Sequence, residues 1–187
     1  MSKGISITVG QKDADIVGSD NRALQAAVDY VAALGGGTVN IAPGTYLMKD
    51  SLHLRTNVNI LGQGEATVLR KCDGVSSPLA TDGDYGQEAI TLADSTGFEV
   101  GMGVTVTDDS SGGFHTTVAT MISQEDHSFA ITKPLNADCM VARNALARNT
   151  FPVVSGYYVD DVRLERIAID GNRENNDHLN GCRGAGI

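Results

Sequence analysis

The sequence predicts an all-β solenoid: a single-stranded parallel β-helix with an N-terminal capping α-helix and an inserted small antiparallel β subdomain. Val39-Asn40-Ile41 recurs as Val58-Asn59-Ile60, and in both triplets apolar residues flank a polar one, the alternation of a strand with one face inside. Between the triplets lie only turns and strand-like runs too short to bury a face unless a neighbouring coil covers them. The pattern returns late in the chain, where Ile167, Ile169 and Gly171 repeat the spacing of Val58, Ile60 and Gly62.

The elements follow in order. In ISITV, residues Ile5, Ile7 and Val9 share one face, so this segment can pair with the first coil. Ser19 or Asp20 caps a helix whose Leu24, Ala27, Val28, Val31 and Leu34 form one apolar stripe, and Gly35 stands where a left-handed C-terminal cap is wanted. A solenoid exposes apolar interior at its end, so this helix is expected to lie across the first coil as a lid. Pro43-Gly44 then turns, residues 45–48 extend, Lys49-Asp50 turns again, and Leu52 and Leu54 alternate.

After Lys71 the repeat is lost, which divides the chain into residues 1–71, an insertion at 72–153 and a resumed coil at 154–187. Within the insertion AITL (89–92), VTVTD (104–108), TTVATMI (116–122) and SFAIT (128–132) alternate or are β-branched, and Gly, Ser and Asp clusters separate them. These read as antiparallel strands of a packing module, with residues 137–148 a short helix or a connection back. The run Asp108-Asp109-Ser110-Ser111-Gly112-Gly113 reads as a mobile turn. In the resumed coil Val162 and Leu164 face inward, Arg163 and Glu165 outward, and a slip at a corner near Arg166 brings Ile167 and Ile169 inside. Ala168 and Asp170 then continue the outward row.

Composition narrows the function. One domain is the expectation for 187 residues, and Gly 22 with Trp 0 suits a turn-rich β protein with an aliphatic core. Lys+Arg 14 against Asp+Glu 23 gives a net charge of -9, which disfavours nucleic-acid binding and would repel a polyuronate unless a local cation intervenes. Cys72, Cys139 and Cys182 lack zinc-site spacing and are expected as buried free thiols. No signal peptide and no membrane span can be read in the chain. GGGTV and GQGEA lack the strand–glycine loop–helix context of a phosphate cradle, so no organic cofactor is implied.

The run from Asp20 to Lys71, DNRALQAAVDYVAALGGGTVNIAPGTYLMKDSLHLRTNVNILGQGEATVLRK, and again Val159 to Asn172, resembles the N-terminal part of the pectate-lyase-like superfamily of right-handed parallel β-helices. The resemblance implies the handedness and an extracellular or cell-surface location. It also implies a protein that binds or processes a polysaccharide, as lyase, hydrolase or epimerase. The same scaffold serves viral tail proteins, so a fibre, filament or phage-tail-like assembly subunit is the alternative, self-associating through an open C-terminal coil near Ile187. The polygalacturonase-type clusters Asp-Asp, His-Gly and Arg-Ile-Lys are not reproduced: Asp160-Asp161 precedes a strand, and Arg166-Ile167 is followed by Ala168.

Chemistry is expected in DGNRENNDH, Asp170 to His178, with Arg183. Asp170, Asn172 and Glu174 are the expected substrate contacts. Asp170, Glu174 and Asp177 are the expected ligands of a Ca²⁺ ion, although a full EF-hand loop would carry Gly and Glu where this chain has Asn175 and Gly181. Lysis of a uronate polymer needs a base and cationic stabilisers, for which Arg173, His178 and Arg183 are the candidates. Hydrolysis needs a carboxylate pair, and the loop supplies several carboxylates. The plainer reading is that Asn and Asp here close tight turns on their own backbone. His53, His115 and His127 are isolated in sequence and read as structural.

Overall fold

The computed structural model describes residues 4–111 and 113–177. In chain order they form β1 (Ile5–Gly10), β2 (Ile16–Val17), α1 (Asn21–Ala33), β3 (Gly37–Ile41), β4 (Gly44–Met48), β5 (Leu52–His53) and β6 (Val58–Lys71). Next come β7 (Ser76–Pro78), β8 (Ala89–Thr91), β9 (Gly103–Thr107), β10 (Thr117–Glu125), β11 (Ser128–Ile131) and β12 (Leu146–Arg148), then β13 (Val154–Ser155) and β14 (Arg163–Asp170). Two compact units result. Met1–Cys72 joins Val153–Gly171 in the first, and Asp73–Pro152 joins the segment beginning at Asn172 in the second.

Every ladder of the first unit is parallel. One row stacks β1, β3, the start of β6 and the start of β14, with Ile7 beside Val39, Val39 beside Ile60 and Ile60 beside Leu164. A second row sets Tyr46 of β4 beside Leu69 at the end of β6, and Leu69 beside Ile169. A third pairs Leu52 of β5 with Val154 of β13. Strands this short persist because each pairs with a strand of a neighbouring turn, and their inward residues Val39, Ile41, Tyr46, Met48, Leu52, Val58, Ile60 and Leu69 are all buried. Thr67 holds the bend of β6, its buried hydroxyl accepting from Gln63 N at 3.0 Å while lying 3.3 Å from Ala42 O as donor. At the matching bend of β14, Arg166 takes φ 55 and the register shifts, which turns Ile167 and Ile169 inward after Leu164.

The echo that revealed the coils misplaces their register. Val39 stands beside Ile60, not Val58, and Leu164 rather than Ile169 stands beside Ile60. For Val39 the offset is two residues, which keeps every side chain on its face, so the alternation survives while the alignment slips. Ile169 lies beyond the bend of β14 and stands beside Leu69 in the second row.

Helix α1 is fixed at both ends. Asp20 accepts from Arg22 N and Ala23 N, and at the far end Gly36 N donates to Val31 O while Gly35 N donates to Ala32 O, the paired bonds of a Schellman cap. Leu24, Ala27, Val28 and Val31 are buried, and the helix packs on strands β1 to β6. Leu34 departs from the expected stripe: it is the C-cap residue, already off the helix, and is 50% exposed.

The second unit is one antiparallel sheet in the order β7-β12-β9-β10-β11-β8. Its core gathers Val104, Val106, Met121, Phe129, Ile131, Leu135 and Ala147. The core is therefore mostly aliphatic, with Tyr46 in the first unit and Phe129 and Phe151 in the second as fully buried rings. Residues 137–148 hold a short 3-10 helix at Val141–Arg143, and the expected connection ends in a strand, β12, which pairs with both β7 and β9. After β9, residues 108–111 do not form a loose turn. Asp108 Oδ1 accepts from Ser110 N and Ser111 N at 2.8 Å each, and Oδ2 accepts from Met140 N at 3.0 Å and Arg143 Nε at 2.6 Å. Burial pushes this carboxyl's pKa up, but those donors outweigh it and hold the group well below the usual carboxylate range. Beside it Cys139 is buried, and desolvation raises its thiol. Cys72 is likewise a buried free thiol, while Cys182 lies outside the described residues.

Candidate functional site

The loop that the sequence marks as polar builds one wall of a cleft in the second unit. Asn172 adopts a left-handed conformation at φ 49 and starts a 3-10 turn at Arg173–Asn175. Its buried side chain donates to Asp73 Oδ1 at 2.8 Å and accepts from Asn175 Nδ2 at 2.8 Å, and its carbonyl accepts from Asn176 Nδ2 at 2.8 Å. Asparagine can do this because its amide both donates and accepts while its backbone tolerates positive φ. Asn172 is therefore 6% exposed and holds the loop, where the sequence had suggested a substrate contact.

The opposite wall comes from the strand after Asp73 and from the end of β12. Asn149, 1% exposed, accepts from Val75 N at 2.8 Å and donates to Asp73 O at 2.8 Å, clamping residues 73–75 against β12. Gly74 N donates to Asn175 O at 2.7 Å, and a Cβ at Gly74 would stand 2.8 Å from that oxygen, so the walls approach only because this residue is glycine. Arg148 lies between the walls, with Nε 3.3 Å from Asp177 Oδ2 and Nη1 donating to Thr107 Oγ1 at 3.2 Å. The space they enclose is ≈ 190 Å³, lined by Arg148, Asn149, Thr150, Glu174, Asn175, Asn176 and Asp177 among others. Guanidinium, amide, hydroxyl and carboxylate groups together can donate to and accept from a polyhydroxylated ligand.

Of the residues singled out from sequence, Glu174 and Asp177 line this cleft and Arg173 begins its 3-10 turn. Asp170 ends β14 in the first unit, with Arg70 Nε at 3.6 Å from its Oδ2. His178 and Arg183 lie outside the described residues, as does the coil end at Ile187. Among the described residues no group of three His, Cys, Asp or Glu side chains is placed to hold a metal ion. Arg148 and Asn149 escaped sequence reading because their role depends on β12, whose three residues carry no alternation long enough to register.

His53 is not isolated. Its Nε2 lies 3.1 Å from Asp50 Oδ2 and its Nδ1 lies 2.9 Å from Ser155 Oγ. The parallel register of β5 and β13 sets His53 beside Ser155, a juxtaposition hidden in sequence by the long insertion between the two strands.

Parallel rows of short strands packed against a helix fit a pectate-lyase-like class of protein, and the family comparison bears that out. The chain belongs to the family described as Rhamnogalacturonase A/epimerase, pectate lyase-like, which matches residues 8–140. It is 36% identical over 95 residues to mannuronan C5-epimerase AlgE6 of Azotobacter vinelandii, a match that covers 42% of this chain and 11% of the epimerase. Among solved structures it is similar to the tailspike of Pseudomonas phage phi297, with TM-score 0.38 and 15% identity over 79% of this chain and 28% of the tailspike. A tailspike of Acinetobacter baumannii bacteriophage AP22, solved with a capsular saccharide, gives TM-score 0.37 and 13% identity at the same coverages. The chain thus spans about a tenth of the curated relative it matches. No helix among the described residues is long and apolar enough to cross a membrane.

Proposed function

We propose that this chain is the N-terminal part of a right-handed parallel β-helix protein that binds or processes an extracellular polysaccharide, and that the cleft beside Arg148 receives the glycan. Family membership over residues 8–140 is the observation that carries the reading. Similarity to an epimerase that acts on mannuronan supports the substrate class. The parallel registers of the three rows support closure into a coil, and parallel crossovers are right-handed in nearly all sheets.

Charge shapes what binds. With a net charge of -9 the protein repels an acidic glycan at long range, so such a chain must be held locally by Arg148. Added salt should then speed association with an acidic oligosaccharide by screening the repulsion, and leave a neutral one unaffected.

Calorimetric titration with acidic and neutral oligosaccharides tests the reading. Arg148→Ala is expected to weaken binding about tenfold, equivalent to ~1.4 kcal/mol, while circular dichroism remains that of the parent. Unchanged affinity in the folded variant would remove the cleft from the account, and absence of binding to every glycan class would remove the function.

A further inference from the structure

We propose that Ser155, His53 and Asp50 form an acyl-transfer site that hydrolyses carboxylic esters. It goes beyond the glycan reading and does not rest on it. All three residues belong to the first unit. The parallel pairing of β5 with β13 sets His53 beside Ser155, and Nδ1 meets the Ser155 hydroxyl at 2.9 Å. The other ring nitrogen meets Asp50 Oδ2 at 3.1 Å, and the Asp50 side chain is 8% exposed with its second oxygen accepting from Ser51 N at 2.8 Å. A carboxylate accepts rather than donates, so Nε2 carries the ring hydrogen, and the lone pair on Nδ1 faces the Ser155 hydroxyl. That is a nucleophile within reach of a base whose tautomer a buried third group fixes, recognised by roles and geometry rather than by chain order.

The surroundings hold the imidazole still and leave it reachable. Gln25 of α1 accepts from His53 N at 2.8 Å and donates to His53 O at 3.1 Å, fastening the backbone on both sides. The His53 side chain is 38% exposed. Two and three residues beyond Ser155, Tyr157 and Tyr158 are 75% and 90% exposed, with ring centroids 4.5 Å apart in an edge-to-face pair. Exposed rings next to the nucleophile offer an apolar surface for the body of an ester substrate.

In the reaction Ser155 Oγ forms a bond to the ester carbonyl carbon as its proton passes to His53 Nδ1. The bond from that carbon to the alkoxy oxygen breaks, and the alcohol leaves with the proton from Nδ1. Water then attacks the acyl-serine, giving its proton to Nδ1. Release of the carboxylic acid returns that proton to Ser155 Oγ. Asp50 is a positioning residue that acts through the ring.

The test uses the full chain with a fluorophosphonate probe and with p-nitrophenyl acetate. One phosphonyl adduct on the peptide containing Ser155 is expected, together with acetate ester hydrolysis that falls at least tenfold in Ser155→Ala and in His53→Gln. Nitrogen-15 shifts of the His53 ring should report hydrogen on Nε2, moving to Nδ1 in Asp50→Asn, whose amide can donate to Nε2. No adduct at Ser155 in the folded parent protein would overturn the proposal. So would ester hydrolysis that persists in Ser155→Ala, or a His53 ring carrying its hydrogen on Nδ1 in the parent. The labelling needs no variant, so a substitution that disturbs folding does not shield the idea.

Discussion

Asp108→Ala is expected to destabilise the second unit by about 2–3 kcal/mol, the upper part of the range for leaving buried donors without an acceptor, since its ion-pair partner Arg143 is 40% exposed and stays hydrated. The carboxylate is fully buried and accepts from Ser110 N, Ser111 N, Met140 N and Arg143 Nε, so truncation leaves several donors without an acceptor at once. Those donors join the end of β9 to the turn before β12, and their loss loosens the strand that carries Arg148. The same pair sets an acid limit. Because the folded pKa lies below the unfolded value of about 3.9, the contribution is fully present above that value and is lost as pH falls towards the folded one. Asp108→Asn should therefore differ most from the parent at neutral pH and converge on it in acid. Urea melts between pH 7 and pH 2 read both quantities, and a pH-independent difference between the two proteins would contradict the assignment.

Gly37→Ala is expected to cost about 2–5 kcal/mol, from overpacking together with backbone strain. A Cβ there would stand 2.1 Å from Ile5 O at φ 153, against the backbone of the adjacent strand β1. Nothing flexible can yield, so β1 must leave β3 and uncover that end of the row. Gly35→Ala is the control: its φ of 93 is equally unfavourable for a side chain, but no atom lies within 4 Å of the added carbon. The parent should therefore melt highest, Gly35→Ala lower, and Gly37→Ala lowest. Equal losses at the two glycines would mean that strain alone matters and that β1 does not stack closely on β3.

Local chemistry was legible in the sequence and long-range register was not. The helix caps at Asp20 and Gly35 could be read because capping depends on neighbours only, and the alternation of Val39, Ile41, Val58 and Ile60 because it depends on one strand at a time. Arg166 could be placed at a corner because the apolar phase changes across it, and its φ of 55 is that change in backbone terms. The echo gave the wrong neighbour for Val39 because an offset of two preserves face and so leaves no mark on the pattern. The Asp108 turn looked loose because Asp, Ser and Gly are loop residues on average, while its order comes from Met140 and Arg143 far along the chain. The cleft was half legible: Glu174 and Asp177 lie in a conspicuous polar run, whereas Arg148 and Asn149 owe their place to a three-residue strand. Ser155 could be matched to His53 only by knowing that β13 resumes the row that β5 left.

The most direct measurement of the central claim is an amide NMR titration of the isotope-labelled protein with oligosaccharides of acidic and neutral types. Binding of a glycan in the cleft predicts saturable shifts concentrated at residues 74–76, 148–150 and 174–177, reached in Arg148→Ala only at about tenfold higher ligand. Saturable shifts confined to other surfaces would contradict the placement of the site, and a spectrum unmoved by every oligosaccharide would contradict glycan binding by this chain.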